Sequence, residues 1–298
     1  MTLIADSGST KTAWCVAEKG CVIHTQGLNP FQQDEQTICD VLRKELMPQL
    51  HGIIDNEPLT TIHFYGAGCT PEKVPVVATC LKNTVSATAE IHVESDMLGA
   101  ARSACGHNAG TVCILGTGSN SCYYDGEQLH PGIPALGYIL GDEGSGACIG
   151  KRLVSDILKQ QLPPDICQIF FNETHETQAN IIQRIYRTPL PNRYLASLSP
   201  FCARHREHPA IHALLIDCFT QFFRRNIDPL KCTMSDVEHE CKQSHSTLTV
   251  KQIHFIGSIA HHYRDELTAA AEQCGYTIGH ILQSPLERLV QYHLSVSR

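Results

Sequence analysis

Short runs of apolar residues broken by glycine turns alternate along the chain with stretches whose apolar positions recur at helical spacing. Residues 3–5 form an apolar run ending at Asp6, and Ser7-Gly8-Ser9-Thr10 turns the chain into a second β-rich run, 12–17. Lys19-Gly20 turns it again into residues 21–25, which predicts three successive strands. Over residues 34–50, Ile38, Val41, Leu42 and Leu46 fall on one helix face, and Pro48 predicts its stop. A strand is expected over 61–65, closed by Gly66-Ala67-Gly68. The helix expected over 71–85 carries Val74, Val77, Ala78 and Leu81 in one stripe. Ile91, Val93 and Ser95 then alternate with His92, Glu94 and Asp96, so the next strand delivers Asp96 at its end.

The plan then begins again. Residues 111–115 read as a strand ending in Gly116-Thr117-Gly118-Ser119, and 120–124 as another, closed by Asp125-Gly126. A helix opening near Asp142 carries Ile149, Leu153, Val154, Ile157 and Leu158 and ends at Pro163-Pro164. Residues 165–245 read as mostly helical. A late strand over 253–256 runs into Gly257-Ser258 and a helix bearing Ile259, Tyr263, Leu267 and Ala271. A last strand over 276–282 and a terminal helix follow. A strand–turn–strand unit occurring twice is a weak internal repeat, and it predicts two related α/β halves with a cleft between them.

Composition narrows the function classes. The 298 residues suit two domains. With 42% hydrophobic and 18% charged residues, the chain is neither disordered nor fibrous nor a coiled coil. No run approaches the roughly 18 apolar residues of a membrane helix, and the start lacks the basic n-region of a secretory signal. The expectation is a cytoplasmic protein with no membrane partner. Twenty-three basic against 30 acidic residues give a net charge of -7, which argues against nucleic acid as a partner. Among fifteen cysteines no two are spaced CxxC, and many, such as Cys15 and Cys113, lie inside apolar runs where a free thiol packs as a small hydrophobe. Cys232, His239, Cys241 and His245 are zinc-capable types in a polar stretch. Their irregular spacing makes coincidence the better reading.

Candidate chemistry sits in three turns at strand ends: Asp6-Ser7-Gly8-Ser9-Thr10-Lys11, Leu115-Gly116-Thr117-Gly118-Ser119-Asn120, and Phe255-Ile256-Gly257-Ser258. A phosphate chain needs converging backbone N–H groups without side chains in the way, and Ser or Thr hydroxyls add donors. Each turn alone is more often only a tight turn. The P-loop pattern and a GxGxxG opening a helix are both missing. It is the order that carries information: an acidic residue beside turn one, another at a strand end, turn two, GDEGSG, then turn three.

The series ADSGSTKTAW, VESDMLGAA, ILGTGSNS, GYILGDEGSGACIG and FIGSIA resembles the N-acetylglucosamine kinase branch of the BadF/BadG/BcrA/BcrD ATPase family, in the actin, sugar kinase and Hsp70 superfamily. The resemblance implies an α/β fold of two ribonuclease-H-like (actin-like ATPase) domains flanking a nucleotide cleft. They would be residues 1–108 and 109–298, the second with a helical region at about 160–245, and the last helix would return to the first domain. It implies ATP and Mg²⁺ as cofactors and a small-molecule amino sugar as partner, and it leaves a homodimer open.

The same resemblance suggests site residues, each with a plainer alternative. Asp6 would hold Mg²⁺ through water, or merely cap its turn. Gly8, Ser9, Thr10 and Lys11 would meet phosphate, although Lys11 also reads as a solvated surface lysine. Asp96 would be the catalytic base and touch the sugar, or only N-cap the helix that follows. Gly116, Thr117 and Gly118 would bind the nucleotide, while Ser119, Asn120, Asp142 and, more weakly, Asn29 match sugar contacts. Glu143 shares the Asp142 motif but could simply favour a helix N-terminus. Gly257 and Ser258 would lie against adenine and ribose, or just turn into a helix. The segment 134–138, with Gly137 among the sugar candidates, departs from the family pattern. Glucosamine or N-acetylmuramic acid therefore stands beside N-acetylglucosamine as substrate. A nucleotide-dependent activator of a partner protein is the alternative from another class.

Overall fold

The computed structural model describes residues 1–55, 57–130, 132–230 and 252–296. Cys232, His239, Cys241 and His245 lie outside the described residues. The chain divides into two compact units, one made of Met1–Ala109, Tyr124–Leu129 and Ser284–Arg298, the other of Gly110–Tyr123 and His130–Gln283.

The first unit is built on a five-stranded mixed sheet of β1 (Thr2–Ser7), β2 (Lys11–Val16), β3 (Cys21–Gln26), β4 (Thr61–Gly66) and β5 (Glu90–Ser95), in the order β3-β2-β1-β4-β5. The two tight turns predicted near Gly8 and Gly20 join β1, β2 and β3 as antiparallel neighbours, whereas β1, β4 and β5 are parallel. Register brings Ser7, Gly66 and Ser95 level, so the three parallel strands end together at one carboxyl edge. One apolar cluster joins Leu3, Trp14, Ile62 and Phe64 of the sheet to Leu42, Leu46, Val77 and Leu81 of the helices. Helix Asp96–Cys105 packs on β4 and on the terminal helix Leu286–Val296, which also meets β1. Its approach depends on Gly99, where a Cβ would press on the Tyr65 ring at 2.9 Å.

The helix expected to stop near Pro48 continues. Glu35–Val41 runs into a π-turn at Leu42–Leu46 and then Met47–Ile54, with Pro48 in the first turn of that last segment and Asp55 left-handed at φ 46°. The wider π-turn shifts the backbone register, so the missing N–H of the proline falls where a new helical segment starts and disrupts no interior bond.

The second sheet, all of it in the second unit except Tyr124 and Leu129, consists of β6 (Gly110–Leu115), β7 (Ser119–Tyr124), β8 (Leu129–His130), β9 (Gln252–Ile256) and β10 (Thr277–Leu282), in the order β10-β9-β6-β7-β8. Strands β6, β9 and β10 are parallel. The helical region, motif-poor in sequence, owes its order to one apolar core. Phe170, Phe201, Phe219, Phe222 and Phe223 are buried there with Phe255 of β9 and with Leu153 and Ile157 of helix Gly146–Leu158. Among the described residues, no helix is long and apolar enough to cross a membrane.

Candidate active site

In the first unit, Gly8 N–H donates to the Lys11 carbonyl at 3.0 Å and closes the β1–β2 turn. Beneath it the Ser7 and Thr12 hydroxyls meet at 2.6 Å, and Leu28 N–H donates to Ser7 Oγ at 3.0 Å. Gly27 supports the turn from behind: its N–H donates to the Thr10 carbonyl at 3.0 Å. A Cβ at Gly27 would lie 2.4 Å from the Gly8 carbonyl oxygen and 2.7 Å from the Ser9 carbonyl carbon. Asn29 is buried against the same turn, with Nδ2 donating to Ser9 Oγ at 3.3 Å and Oδ1 accepting from Phe31 N–H at 3.0 Å. Thr10 and Lys11 are exposed. Neither Gly27 nor its neighbour Leu28 stands out in sequence as part of this turn.

Asp6 and Asp96 lie at the carboxyl edge formed by β1, β4 and β5. The N-cap role that stood as the plainer alternative for Asp96 is taken by Ser95, whose side chain accepts from Leu98 N–H at 3.2 Å. The hydroxyl on the strand's last residue takes the Leu98 amide, and the first two helix amides, of Asp96 and Met97, are left to the Asp96 carboxylate. Both aspartates keep some exposed surface, yet surrounding protein desolvates both carboxyls. Burial first, and then the negative charge of Asp96, push Asp6 up to about 7; Ser284 and Lys11 oppose the shift. Burial pushes Asp96 up to about 6, against backbone N–H groups of Asp96 and Met97. Ser284 Oγ stands 3.5 Å from Asp6 Oδ2. It belongs to the terminal segment of this unit, and only its Ser-Pro helix-start signature marks it in sequence.

Two mutually repelling, desolvated carboxylates with hard oxygen donors suit a divalent cation such as Mg²⁺.

In the second unit, Gly116 N–H donates to the Gly118 carbonyl at 2.9 Å. The first amides of helix Gly146–Leu158 donate onto the turn, Gly146 to the Gly116 carbonyl (2.9 Å) and Ala147 to the Thr117 carbonyl (3.1 Å). Asp142 has left-handed backbone at φ 59° and its Oδ1 accepts from Ser119 N–H at 3.1 Å. A Cβ at Gly118 would stand 2.9 Å from Asp142 Oδ2, so this carboxylate packs directly on the turn. Burial raises the Asp142 carboxyl and the Ser119 N–H opposes that. Asn120 turns its Oδ1 to the Ser121 N–H at 2.9 Å. The helix expected to open near Asp142 opens at Gly146, with Ser145 as N-cap accepting from Cys148 N–H at 3.1 Å. Glu143 is tied to Arg225 at 2.5 Å. Gly137 (φ 72°) begins the short helix Gly137–Leu140, where Lys151 Nζ donates to the Tyr138 carbonyl at 2.8 Å.

Gly257 has φ 119°, and a Cβ there would lie 2.3 Å from the Leu115 carbonyl oxygen. Only glycine passes so close to the end of β6. Ser258 is exposed at the start of helix Ser258–His262. The first unit thus gathers Asp6, Gly8, Ser9, Asn29 and Asp96, and the second gathers Gly116, Thr117, Gly118, Ser119 and Asp142, with Gly257 packed on β6.

No protein-family model matches this chain, and no curated protein does. Among solved structures, the chain is 42% identical to a Porphyromonas gingivalis protein provisionally named N-acetylglucosamine kinase, covering 100% of both chains with a TM-score of 0.89. A similarly named protein from Chromobacterium violaceum shares the fold at 16% identity, with 98% of each chain covered and a TM-score of 0.64. A ROK family glucokinase from Streptomyces griseus, solved with glucose and AMPPNP, shares it at 12% identity, covering 98% of this chain and 97% of its own, with a TM-score of 0.55. By the identity and full coverage of the first of these, this chain belongs to the actin-like sugar kinase family, in its N-acetylglucosamine kinase-like branch.

Proposed function

We propose that the chain is an ATP-dependent kinase that phosphorylates the C6 hydroxyl of N-acetylglucosamine or a close amino-sugar relative, as a cytoplasmic BadF/BadG/BcrA/BcrD-type enzyme. The observation that carries this reading is the pair of desolvated, electrostatically coupled carboxylates Asp6 and Asp96 at one strand edge beside a glycine turn. In open α/β sheets ligands bind at the carboxyl ends of strands. The name of the 42%-identical relative supports the sugar.

In this reading Asp96 accepts the proton of the sugar hydroxyl as its oxygen attacks phosphorus. A carboxyl held near pH 6 is both ionised and basic at neutral pH. Asp6 would hold Mg²⁺ through water; when bound, the cation supplies neutralisation of charge on the transferred phosphoryl group. Gly8 keeps the turn free of a side chain, the backbone N–H groups of Ser9 and Gly118 and the Thr10 and Thr117 hydroxyls donate to phosphate oxygens, and Lys11 adds positive charge. Asp142 has Oδ1 fixed by Ser119 N–H, which aims its second oxygen at sugar hydroxyls, helped by Ser119, Asn120, Asn29 and Gly137. Gly257 and Ser258 would lie along the nucleoside.

A coupled assay of ADP release over N-acetylglucosamine, glucosamine and N-acetylmuramic acid tests this. Sugar-dependent ADP release that disappears in Asp96→Asn is expected. Hydrolysis indifferent to every sugar, or full activity in Asp96→Asn, overturns the reading and favours a nucleotide-dependent activator.

A further inference from the structure

The second unit holds a pair of thiols that the kinase reading does not use. Cys148 lies in the first turn of helix Gly146–Leu158, half-buried, and the Cys218 side chain of helix Pro209–Phe222 is hydrogen-bonded to it. Both line a cavity of about 410 Å³ whose wall also includes Glu143, Lys151, Arg152 and Arg225. The cavity gives a small solute access to a sulfur that the fold otherwise packs away.

The surroundings of Cys148 favour its ionised form. The Cys218 hydrogen bond, the Gly144 backbone N–H and the charge of Lys151 all stabilise a thiolate, against burial and the charge of Glu143. The net effect pulls Cys148 down to about 7. The N-terminus of a thirteen-residue helix adds its dipole in the same sense. Cys218 moves the other way, well above the usual thiol range, because its proton serves the bond to Cys148 and because it is buried. The Cys39–Cys80 pair of the first unit is a contrast inside the same chain. Its sulfurs are 2.8 Å apart, both residues are buried, and burial together with the Cys39 hydrogen bond pushes Cys80 up to about 12. Proximity is shared by the two pairs, but the helix-start position and the cavity belong to Cys148.

We propose that Cys148 is a hydroperoxide-reactive thiolate and that Cys218 resolves its oxidised form, joining the two helices by a reversible disulfide. In the first step Cys148 Sγ attacks the distal oxygen of a hydroperoxide. The S–O bond forms, the O–O bond breaks, and the alkoxide or hydroxide released takes a proton from water. Sulfur is thereby oxidised by two electrons to a sulfenic acid while the peroxide is reduced. In the second step Cys218 Sγ attacks Cys148 Sγ. The S–S bond forms, the S–O bond breaks, and the departing hydroxide leaves as water with the Cys218 proton. Overall, two thiols and one hydroperoxide give a disulfide, an alcohol or water, and one further water. A thiol such as glutathione reverses it by exchange. This chemistry does not depend on the phosphoryl-transfer reading. It has a consequence for it, because the Gly144 N–H that stabilises the thiolate belongs to the same loop as Asp142.

The test uses the reduced full-length chain at pH 7 with substoichiometric hydrogen peroxide and peptide mass spectrometry. The expected principal product is a peptide pair joined through Cys148 and Cys218. In Cys218→Ser the expected product is instead a Cys148 sulfenic acid captured by dimedone. Since replacing a buried core thiol can disturb folding, the wild-type chain is also alkylated with iodoacetamide across pH. Cys148 is expected to label at least tenfold faster than Cys39 or Cys80 at pH 7, with an inflection near that pH. Labelling no faster than at Cys39 or Cys80, or a dominant disulfide between other cysteines, overturns the proposal.

Discussion

The turn after β1 and the turn after β6 are built alike and equipped differently. Each links neighbouring strands, is closed by an N–H donor from its own glycine, and has an aspartate nearby. In the first, burial pushes Asp6 and Asp96 up to about 7 and 6, and the charge of Asp96 adds to the burden on Asp6. In the second, Asp142 is also raised by burial, but Ser119 N–H answers its charge at 3.1 Å and the Gly118 backbone packs against it. A repelling carboxylate pair is suited to take up a proton or a cation. A carboxylate already hydrogen-bonded to a rigid turn is suited to orient a neutral ligand. In the proposed reading, one turn thus serves the reaction and the other positions the ligand.

The largest expected effect separates these halves. Asp96→Asn removes the proposed proton acceptor without changing shape, and kcat should fall by about 10²–10⁴-fold while sugar affinity, measured by calorimetry, stays within a few-fold. Asp142→Asn should do the reverse: sugar KM rises roughly 10- to 100-fold, as for loss of a hydrogen bond to a charged group, with a smaller change in kcat. Equal losses of kcat in both variants, with no split in KM, would break the distinction.

The next effect concerns how the turns are held. Gly27→Ala forces a methyl into the backbone of Gly8 and Ser9, neither of which can swing aside, and should destabilise the protein by about 1–3 kcal/mol in urea titrations. Gly118→Ala meets a carboxylate instead, at 2.9 Å, and a side chain can give way. Its expected signature is weaker sugar binding with little change in the denaturation midpoint. A large stability loss in Gly118→Ala would show that Asp142 is as rigid as backbone.

The strands were legible because alternation and glycine punctuation are local signals, and both β1–β2 and the strand pair around Gly116 follow from them. Asp6, Asp96 and Asp142 could be picked out as candidates because each stands at a strand end or in a glycine-rich motif. What surrounds them was not legible. Gly27 and Ser284 reach the first turn and Asp6 from distant parts of the chain, and no spacing rule links them. The caps misled for a different reason. Ser95 precedes Asp96 directly and Ser145 follows Asp142 by three residues, so each stretch offers two capping types, and only backbone geometry selects the serine. Pro48 is a third case, where the π-turn at Leu42–Leu46 changes the register that a proline rule assumes.

The smallest expected effect tests the electrostatic side of the comparison. Asp6 binds its proton more tightly in the folded chain than the ordinary value of 3.8 allows. Its contribution to stability is therefore full below about pH 4 and is lost as pH rises through about 7. Asn mimics the protonated carboxyl at every pH. Asp6→Asn should thus leave Tm of the ligand-free protein unchanged near pH 4 and raise it by a few degrees at pH 8, while abolishing Mg²⁺-dependent activity. Asp142→Asn should gain less at pH 8, since Ser119 N–H already supports that charge and an amide nitrogen in its place would face the same donor. The acid side of the profile belongs to other groups. Burial lowers His63 to about 3 and His293 to about 4, so their contribution, present above 6.5, drains away as pH falls from 6.5 through those values. That loss is common to wild type and variant, so the difference between their Tm values at each pH isolates the aspartates. An Asp6→Asn chain less stable than wild type at pH 8 would mean that the Asp6 charge is already compensated, and the contrast between the two turns would lose its physical basis.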